Sequence, residues 1–243
     1  MRDEVMTNVD ESRVKAEQEY EVERLTKKIE KKILILRGAC EGSPEKYKNT
    51  VQALGFARRK HAGQTRKSGV PYIIHPLSVA CDALAMGFRD DIIIATCLLH
   101  DVLEDNKDTS ALDLPVSDEV KRAVECLTIK YGPNEGKYDG KKDYYEKLKT
   151  NKYAILVKGL DRQDNFKSLA QLGPDSVKRN LYETQYLLLP ILGDAKEIWP
   201  EYGGQLHMLR TMLRSVINNL AYDHKIILPY EQPSDEEMRK IFS

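Results

Sequence analysis

The stretch Asp91-Ile92-Ile93-Ile94-Ala95-Thr96-Cys97-Leu98-Leu99-His100-Asp101-Val102-Leu103-Glu104-Asp105 decides how this chain folds. Past Asp91 the first part is apolar on every side, and a segment of helical length with no polar face belongs in a protein interior. A histidine and three carboxylates then follow at once, setting four ionisable groups beside a core. Unpaired buried charge is costly, so such a cluster calls for a cation. The reading is a metal site at the mouth of a buried helix.

Working outward, the flanking sequence reads as helix after helix. Pro76 opens one as a first-turn proline, with Leu77, Ala80, Cys81 and Leu84 on one face and Gly87 at its end. Residues 63–74, with Gly63, Gly69 and Pro71, form an ordered loop before it. Ser43 and Pro44 start a helix that runs to about Ala62. Residues 10–37 carry Val22, Leu25, Ile29, Ile33 and Leu36 at steps of three and four, which predicts one long amphipathic helix packed on the body. Downstream, Ser117 caps a helix through Ile129, and residues 131–142 read as a mobile surface loop. Helices over 143–150, 152–171, 176–193 and 204–222 follow, with a break at Gly173-Pro174 and a polar tail. With no strand pattern and no internal repeat, the chain is predicted to be all-α.

Composition narrows the function. The 243 residues hold 38 Lys plus Arg against 38 Asp plus Glu, a net charge of zero. That argues against a broad footprint for nucleic acid. Cys40, Cys81, Cys97 and Cys126 are widely spaced with no C-x-x-C pair, so they read as small core residues in a reducing compartment. The N-terminus has no apolar signal core and no segment reaches the length of a membrane span, which predicts a cytoplasmic protein without membrane attachment. Nothing in the pattern specifies an oligomeric state.

Three separated places carry the candidate chemistry. His75 precedes a proline, which pushes its backbone toward an extended conformation at a helix start; by itself it reads as a capping or surface histidine. His100 and Asp101 are adjacent, and adjacent residues share one ion only near a helix end or a local distortion. Asp161 sits in an apolar helical stretch and needs a partner, with Lys158 or Arg162 as the simple choice. Together, two imidazoles and two carboxylates suit a divalent manganese, iron or zinc ion with open positions, rather than a closed structural zinc.

These residues lie in three stretches: His61-Ala62-Gly63-Gln64-Thr65-Arg66-Lys67-Ser68-Gly69-Val70-Pro71-Tyr72-Ile73-Ile74-His75-Pro76, His100-Asp101-Val102-Leu103-Glu104-Asp105, and Asp161-Arg162-Gln163-Asp164-Asn165. In this order and spacing, over roughly residues 50–170, the chain resembles the RelA/SpoT-type HD hydrolases. The resemblance implies an HD-domain helical bundle with flanking N- and C-terminal helices. It also implies a Mn²⁺-dependent enzyme that removes the 3′-pyrophosphate of the alarmone (p)ppGpp, giving GDP or GTP and pyrophosphate. By matching position, His75, His100, Asp101 and Asp161 are the metal ligands, and Glu104 and Asp105 the acidic pair that serves hydrolysis. Arg66, Lys67 and Ser68 line the nucleotide pocket, Asn165 reads the base edge, and Ser168 falls where the family has Thr. A divalent ion lowers the pKa of water and polarises a phosphoryl oxygen, and a neighbouring carboxylate can move the proton. Arg can stack on a base or fork a phosphate, and Lys acts as a point charge. Arg58-Arg59-Lys60 reads as an exposed helix face, and Tyr138 as part of a loop able to fold over the ligand.

The chain departs from the family pattern in three ways. Lys158-Gly159-Leu160-Asp161 stands where Lys-Leu-Ala-Asp is usual, and Gly159 is expected to admit a neighbouring backbone. Gln163-Asp164 replaces a Leu-His pair, bringing a charge toward the base pocket. About 70 residues follow the third motif's helix, with no Gly-rich phosphate loop, which predicts a stand-alone hydrolase with little or no synthetic activity. The expected organisation is an N-terminal helix over 1–43, the hydrolase core over 44–172, and C-terminal helices with a tail over 173–243. The alternatives are a hydrolase of the same fold acting on (p)ppApp or NADPH, and a non-catalytic alarmone-binding module.

Overall fold

In the computed structural model the backbone is described for residues 2–43, 45–130, 136–169 and 172–243, and side chains from residue 17 onward, residue 18 excepted. The described residues form helices and connections with no strand; in chain order the helices are α1 (Arg2–Glu41), α2 (Lys48–Lys60), α3 (Ile74–Ala85), α4 (Asp91–Leu99), α5 (Val102–Asp105), α6 (Asp118–Leu127), α7 (Lys137–Leu148), α8 (Lys152–Leu169), α9 (Pro174–Glu183), α10 (Leu189–Ile198), α11 (Gly203–Asp223) and α12 (Asp235–Phe242).

The apolar run is α4, and Ile93 through Leu99 are all buried. α2, α3, α6 and α8 close round it, as an all-round hydrophobic helix requires. Two aspartates fix its start. Asp90 accepts the Ile92 N–H at 2.8 Å as an N-cap. Asp91 reaches to the next helix and accepts the backbone N–H groups of Asn49 at 2.9 Å and Thr50 at 2.7 Å, supplying α2 with the cap its own Tyr47 lacks. That explains why α2 begins at Lys48 rather than at Ser43; Pro44 lies outside the described residues.

α3 begins two residues before Pro76, so His75 is helical and buried rather than extended at the surface. Pro76 remains in the first turn, where its missing N–H has no intrahelical partner to lose. The backbone breaks between α4 and α5, and His100 and Asp101 occupy that break.

Three boundaries differ from the sequence reading. The loop expected over 131–142 is helical from Lys137, while 131–135 lie outside the described residues. Tyr138 is buried there and its hydroxyl donates to Asp235 at 2.8 Å, so it is a packing residue and not a lid. The polar tail holds α12, which buries Met238 and Phe242 and starts with a Ser234–Glu237 capping box. The helix expected over 176–193 is two helices joined by a π-turn at Thr184–Leu188, just before Pro190 removes a backbone donor. A single apolar cluster connects Leu36, α4, α8, α11 and Phe242. All four cysteines are free, with Cys40, Cys97 and Cys126 buried.

Candidate metal centre

Four side chains from three places in the sequence meet at the end of α4. His75 comes from the first turn of α3, His100 and Asp101 from the α4–α5 break, and Asp161 from the middle of α8. The two imidazole Nε2 atoms lie 3.1 Å apart. His75 Nε2 is 3.1 Å from Asp161 Oδ1 and 3.4 Å from Asp101 Oδ2. His100 Nε2 is 3.2 Å from Asp101 Oδ2 and 3.6 Å from Asp161 Oδ1. The helix break lets consecutive residues His100 and Asp101 face one point.

The hydrogen bonds behind the rings identify the species. His75 Nδ1 is 2.6 Å from Asp164 Oδ2 and His100 Nδ1 is 2.8 Å from the Cys97 carbonyl. Both partners are acceptors, so both Nδ1 atoms carry the proton and donate it. In the neutral rings each Nε2 then presents a lone pair, and four acceptor atoms face one another in a buried space. Ligand bonds of about 2.1 Å around one ion put neighbouring donor atoms roughly 3.0–3.4 Å apart, and the observed spacings fall in that range except His100 Nε2 to Asp161 Oδ1, at 3.6 Å. Without a cation, protons take its place. Burial opposes charge on His75, but its hydrogen bonds to Asp101, Asp161 and Asp164 outweigh this and carry its pKa to about 9. His100 is raised in the same way, against burial, by Asp101 and Asp161. The donor set therefore suits a divalent metal ion, which Asp161, His75 and His100 alone could hold and Asp101 completes.

Each of the four side chains has a further hydrogen-bond partner. Lys158 Nζ donates to Asp161 Oδ2 at 3.0 Å, leaving Oδ1 to face the histidines. The ion pair expected for Asp161 is thus present, on the oxygen the cluster does not use. The Tyr72 hydroxyl donates to Asp101 Oδ2 at 2.6 Å, and the Asn165 amide to Asp161 Oδ1 at 2.6 Å. Asp164 and Tyr72 were not singled out as site residues in the sequence. Asp164 lies one helical turn beyond Asp161 and so on its face, a signal that spacing carries. Its charge is turned onto His75 and onto Lys167 at 3.0 Å rather than toward a base.

Glu104 and Asp105 stand on α5 at the exposed side of the cluster. The protein around them and the nearby Asp101 raise both carboxyl pKa values, and Asp161 adds to the effect on Glu104. Glu104 Oε1 also accepts the Ile129 N–H at 2.6 Å. The shift moves both groups toward the range in which a carboxyl exchanges protons near neutrality.

Beside the cluster opens a cavity of about 400 Å³ whose walls include Arg66, Lys67, Ser68, Tyr72, Asn165 and Ser168. A tight turn presents the first three: Gly69 N–H donates to the Arg66 carbonyl at 2.8 Å, and Gly69 takes φ +79°, which only glycine adopts freely. Each end of the Asn165 amide already has one partner within the protein. Its Oδ1 accepts from Arg66 at 2.8 Å while its Nδ2 serves Asp161. Gly159 admits side chains and not a backbone: a Cβ there would meet Leu209 at 3.2 Å and Leu192 at 3.5 Å. Arg58 and Arg59 are exposed, as expected.

Residues 53–132 match the family model described as HD domain. Over those residues the chain is similar to HD domains. Its relatives include the guanosine-3′,5′-bis(diphosphate) 3′-pyrophosphohydrolase of Aquifex aeolicus, 34% identical over 152 residues, which are 61% of this chain and 22% of that protein. The bifunctional (p)ppGpp synthase/hydrolase SpoT of Escherichia coli K12 is 31% identical over 153 residues, 60% of this chain and 22% of the relative. The chain thus spans about a fifth of the length of the curated relatives it matches. A solved structure of a metazoan ortholog of SpoT, described as hydrolysing ppGpp, superposes with a TM-score of 0.54 at 20% identity, covering 74% of this chain and 97% of that one. That likeness establishes the helical fold of the HD domain. No helix among the described residues is long and apolar enough to cross a membrane.

Proposed function

We propose that this protein is a metal-dependent phosphohydrolase that removes the 3′-pyrophosphate of (p)ppGpp, releasing GDP or GTP and pyrophosphate. The observation that carries the reading is the convergence of four acceptor atoms at 3.1–3.6 Å beside a cavity walled by Arg66, Lys67 and Ser68. The relatives named as 3′-pyrophosphohydrolases support the choice of substrate.

His75, His100, Asp101 and Asp161 would hold the ion, Mn²⁺ in this proposal. When bound, a divalent ion lowers the pKa of water and polarises a phosphoryl oxygen. Asp164 and the Cys97 carbonyl keep both Nε2 atoms aimed at the site, and Lys158 and Tyr72 hold the carboxylates in place. Glu104 and Asp105 accept the proton of the attacking water and return one as the pyrophosphate leaves the 3′-oxygen. Arg66 and Lys67 offset phosphate charge at the cavity wall, which Ser168 also lines. The residues concerned fall within 44–172, the segment proposed as the hydrolase core. A cytoplasmic setting suits four free cysteines and a nucleotide substrate.

One observation favours a second reading of the same site. With the Asn165 amide engaged by Arg66 and Asp161, one N–H and one lone pair remain for a base edge, which weakens selection of guanine. Adenosine analogues such as (p)ppApp are then substrates as well. The test is pyrophosphate release with Mn²⁺ on ppGpp, pppGpp, ppApp and NADPH, with orthophosphate followed and EDTA as control. Metal-dependent pyrophosphate from the guanosine compounds is expected. Turnover of another substrate alone would overturn the alarmone, and silence with metal bound would overturn the enzyme.

A further inference from the structure

The first helix packs on the apolar cluster only in its C-terminal part. Ile29, Ile33 and Leu36 join the apolar cluster, but no described residue of α1 upstream of Ile29 does. A helical segment without tertiary cover is marginal in water, and surface ion pairs such as Glu23–Lys27 at 2.6 Å support it only weakly. The face turned away from the core is not a plain solvated one. Tyr20 and Leu34 are 67% and 68% exposed, and with Lys27 they recur at the seven-residue spacing of a helix-pairing seam.

Charge is segregated along the same helix. Residues 17–23 read Glu-Gln-Glu-Tyr-Glu-Val-Glu with no base, and residues 24–32 read Arg-Leu-Thr-Lys-Lys-Ile-Glu-Lys-Lys with one acid. Lys27, Lys31, Leu34 and Arg37 line an open cavity of about 500 Å³ with Arg58 of α2, and four bases face the single acid Glu30 in its wall. Lys31, Arg37 and Arg58 have no ion-pair partner among the described residues. An acidic helical segment with an exposed aromatic complements this basic groove, and α1 carries one.

We propose that α1 pairs antiparallel with α1 of a second copy of this chain, about a two-fold axis close to Lys27. Tyr20 then lies opposite Leu34, Glu23 opposite Lys31, and Arg24 opposite Glu30, each contact made twice by symmetry. The two lysines at the axis are each held by their own Glu23. The acidic end of each helix covers the basic groove of the other copy and gains the cover that its own body does not provide. Because solvent-accessible charge dominates the seam, the dimer weakens as salt rises.

Sedimentation of the full chain at low ionic strength tests this. The expected mass is twice 27.8 kDa, falling to 27.8 kDa in high salt. Glu23→Lys and Lys31→Glu are each expected to be monomeric, because each sets like charges opposite one another. An equimolar mixture of the two variants is expected to recover the dimer, because every reversed charge then meets its complement. Far-ultraviolet circular dichroism of each variant confirms that the body is folded. A wild-type monomer at all micromolar concentrations, single variants that remain dimers, or a mixture that stays monomeric would each overturn the proposal.

Discussion

Asp161 shows how one carboxylate can satisfy two demands at once. One oxygen neutralises Lys158 and the other faces the histidines, so the ion pair and the ligand role do not compete. Asp164, one turn further along, acts on the metal site through His75, which makes it a positioning residue. Asp164→Ala is expected to weaken metal binding by about 10–100-fold, with Asn restoring part of the loss because it still accepts from Nδ1. Competition with a chelating dye measures this, and unchanged affinity would remove the role. Glu104 stands at the exposed side of the cluster, where it is proposed to carry the proton. Glu104→Gln should keep the metal and slow pyrophosphate release by about 100-fold, read from turnover beside metal content. At this scale the types of residue were legible in sequence, but not the atoms. Nothing in the letters says that Asn165 grips Arg66, because that contact joins a turn to a helix 99 positions away.

Between elements, the contact of α2 with α4 depends on Asp91. It opens the most apolar helix of the chain yet serves its neighbour, capping backbone donors at Asn49 and Thr50 and receiving the Thr50 hydroxyl at 2.6 Å. Asp91→Ala is expected to cost about 2 kcal/mol, since an ionised cap on two backbone N–H groups is lost. A lowered urea midpoint at constant slope would report it. Helix existence was legible from apolar spacing and from Pro and Gly. The ends were less so. α2 starts where Asp91 caps it, and α7 starts earlier than its Gly- and Lys-rich sequence suggests because Tyr138 packs beneath α12.

Across the whole molecule, a buried charge network ties α7, α8 and α9 together behind the metal site. Glu183 accepts from Arg162 at 2.6 Å and from the Tyr145 hydroxyl at 2.9 Å, and pairs with Lys141 at 2.9 Å. Burial opposes its charge, but Arg162, Lys141 and Lys158 outweigh that and hold its pKa at about 2, against an ordinary 4.5. A depressed carboxyl stabilises the fold above the ordinary value, and that contribution is lost as pH falls from 4.5 through about 2. The loss amounts to roughly 3 kcal/mol. Glu183→Gln should flatten this acid limb and cost about 3–5 kcal/mol at neutral pH by leaving Arg162 and Lys141 without a counter-charge. Thermal melts from pH 2 to pH 7 check both effects, and an unchanged acid limb would contradict the assignment.

The sequence by itself determined that the chain is helical, that α4 is interior, and that residues 53–132 are similar to HD domains. Those properties follow from local spacing and residue type, which a linear pattern records. Only the tertiary structure decided which lone pairs face one another, that Asp164 and Tyr72 hydrogen-bond to His75 and Asp101, and that the tail returns as α12 over Tyr138. Those outcomes depend on contacts between distant segments, whose geometry is set when the apolar faces pack and not by any one stretch of chain.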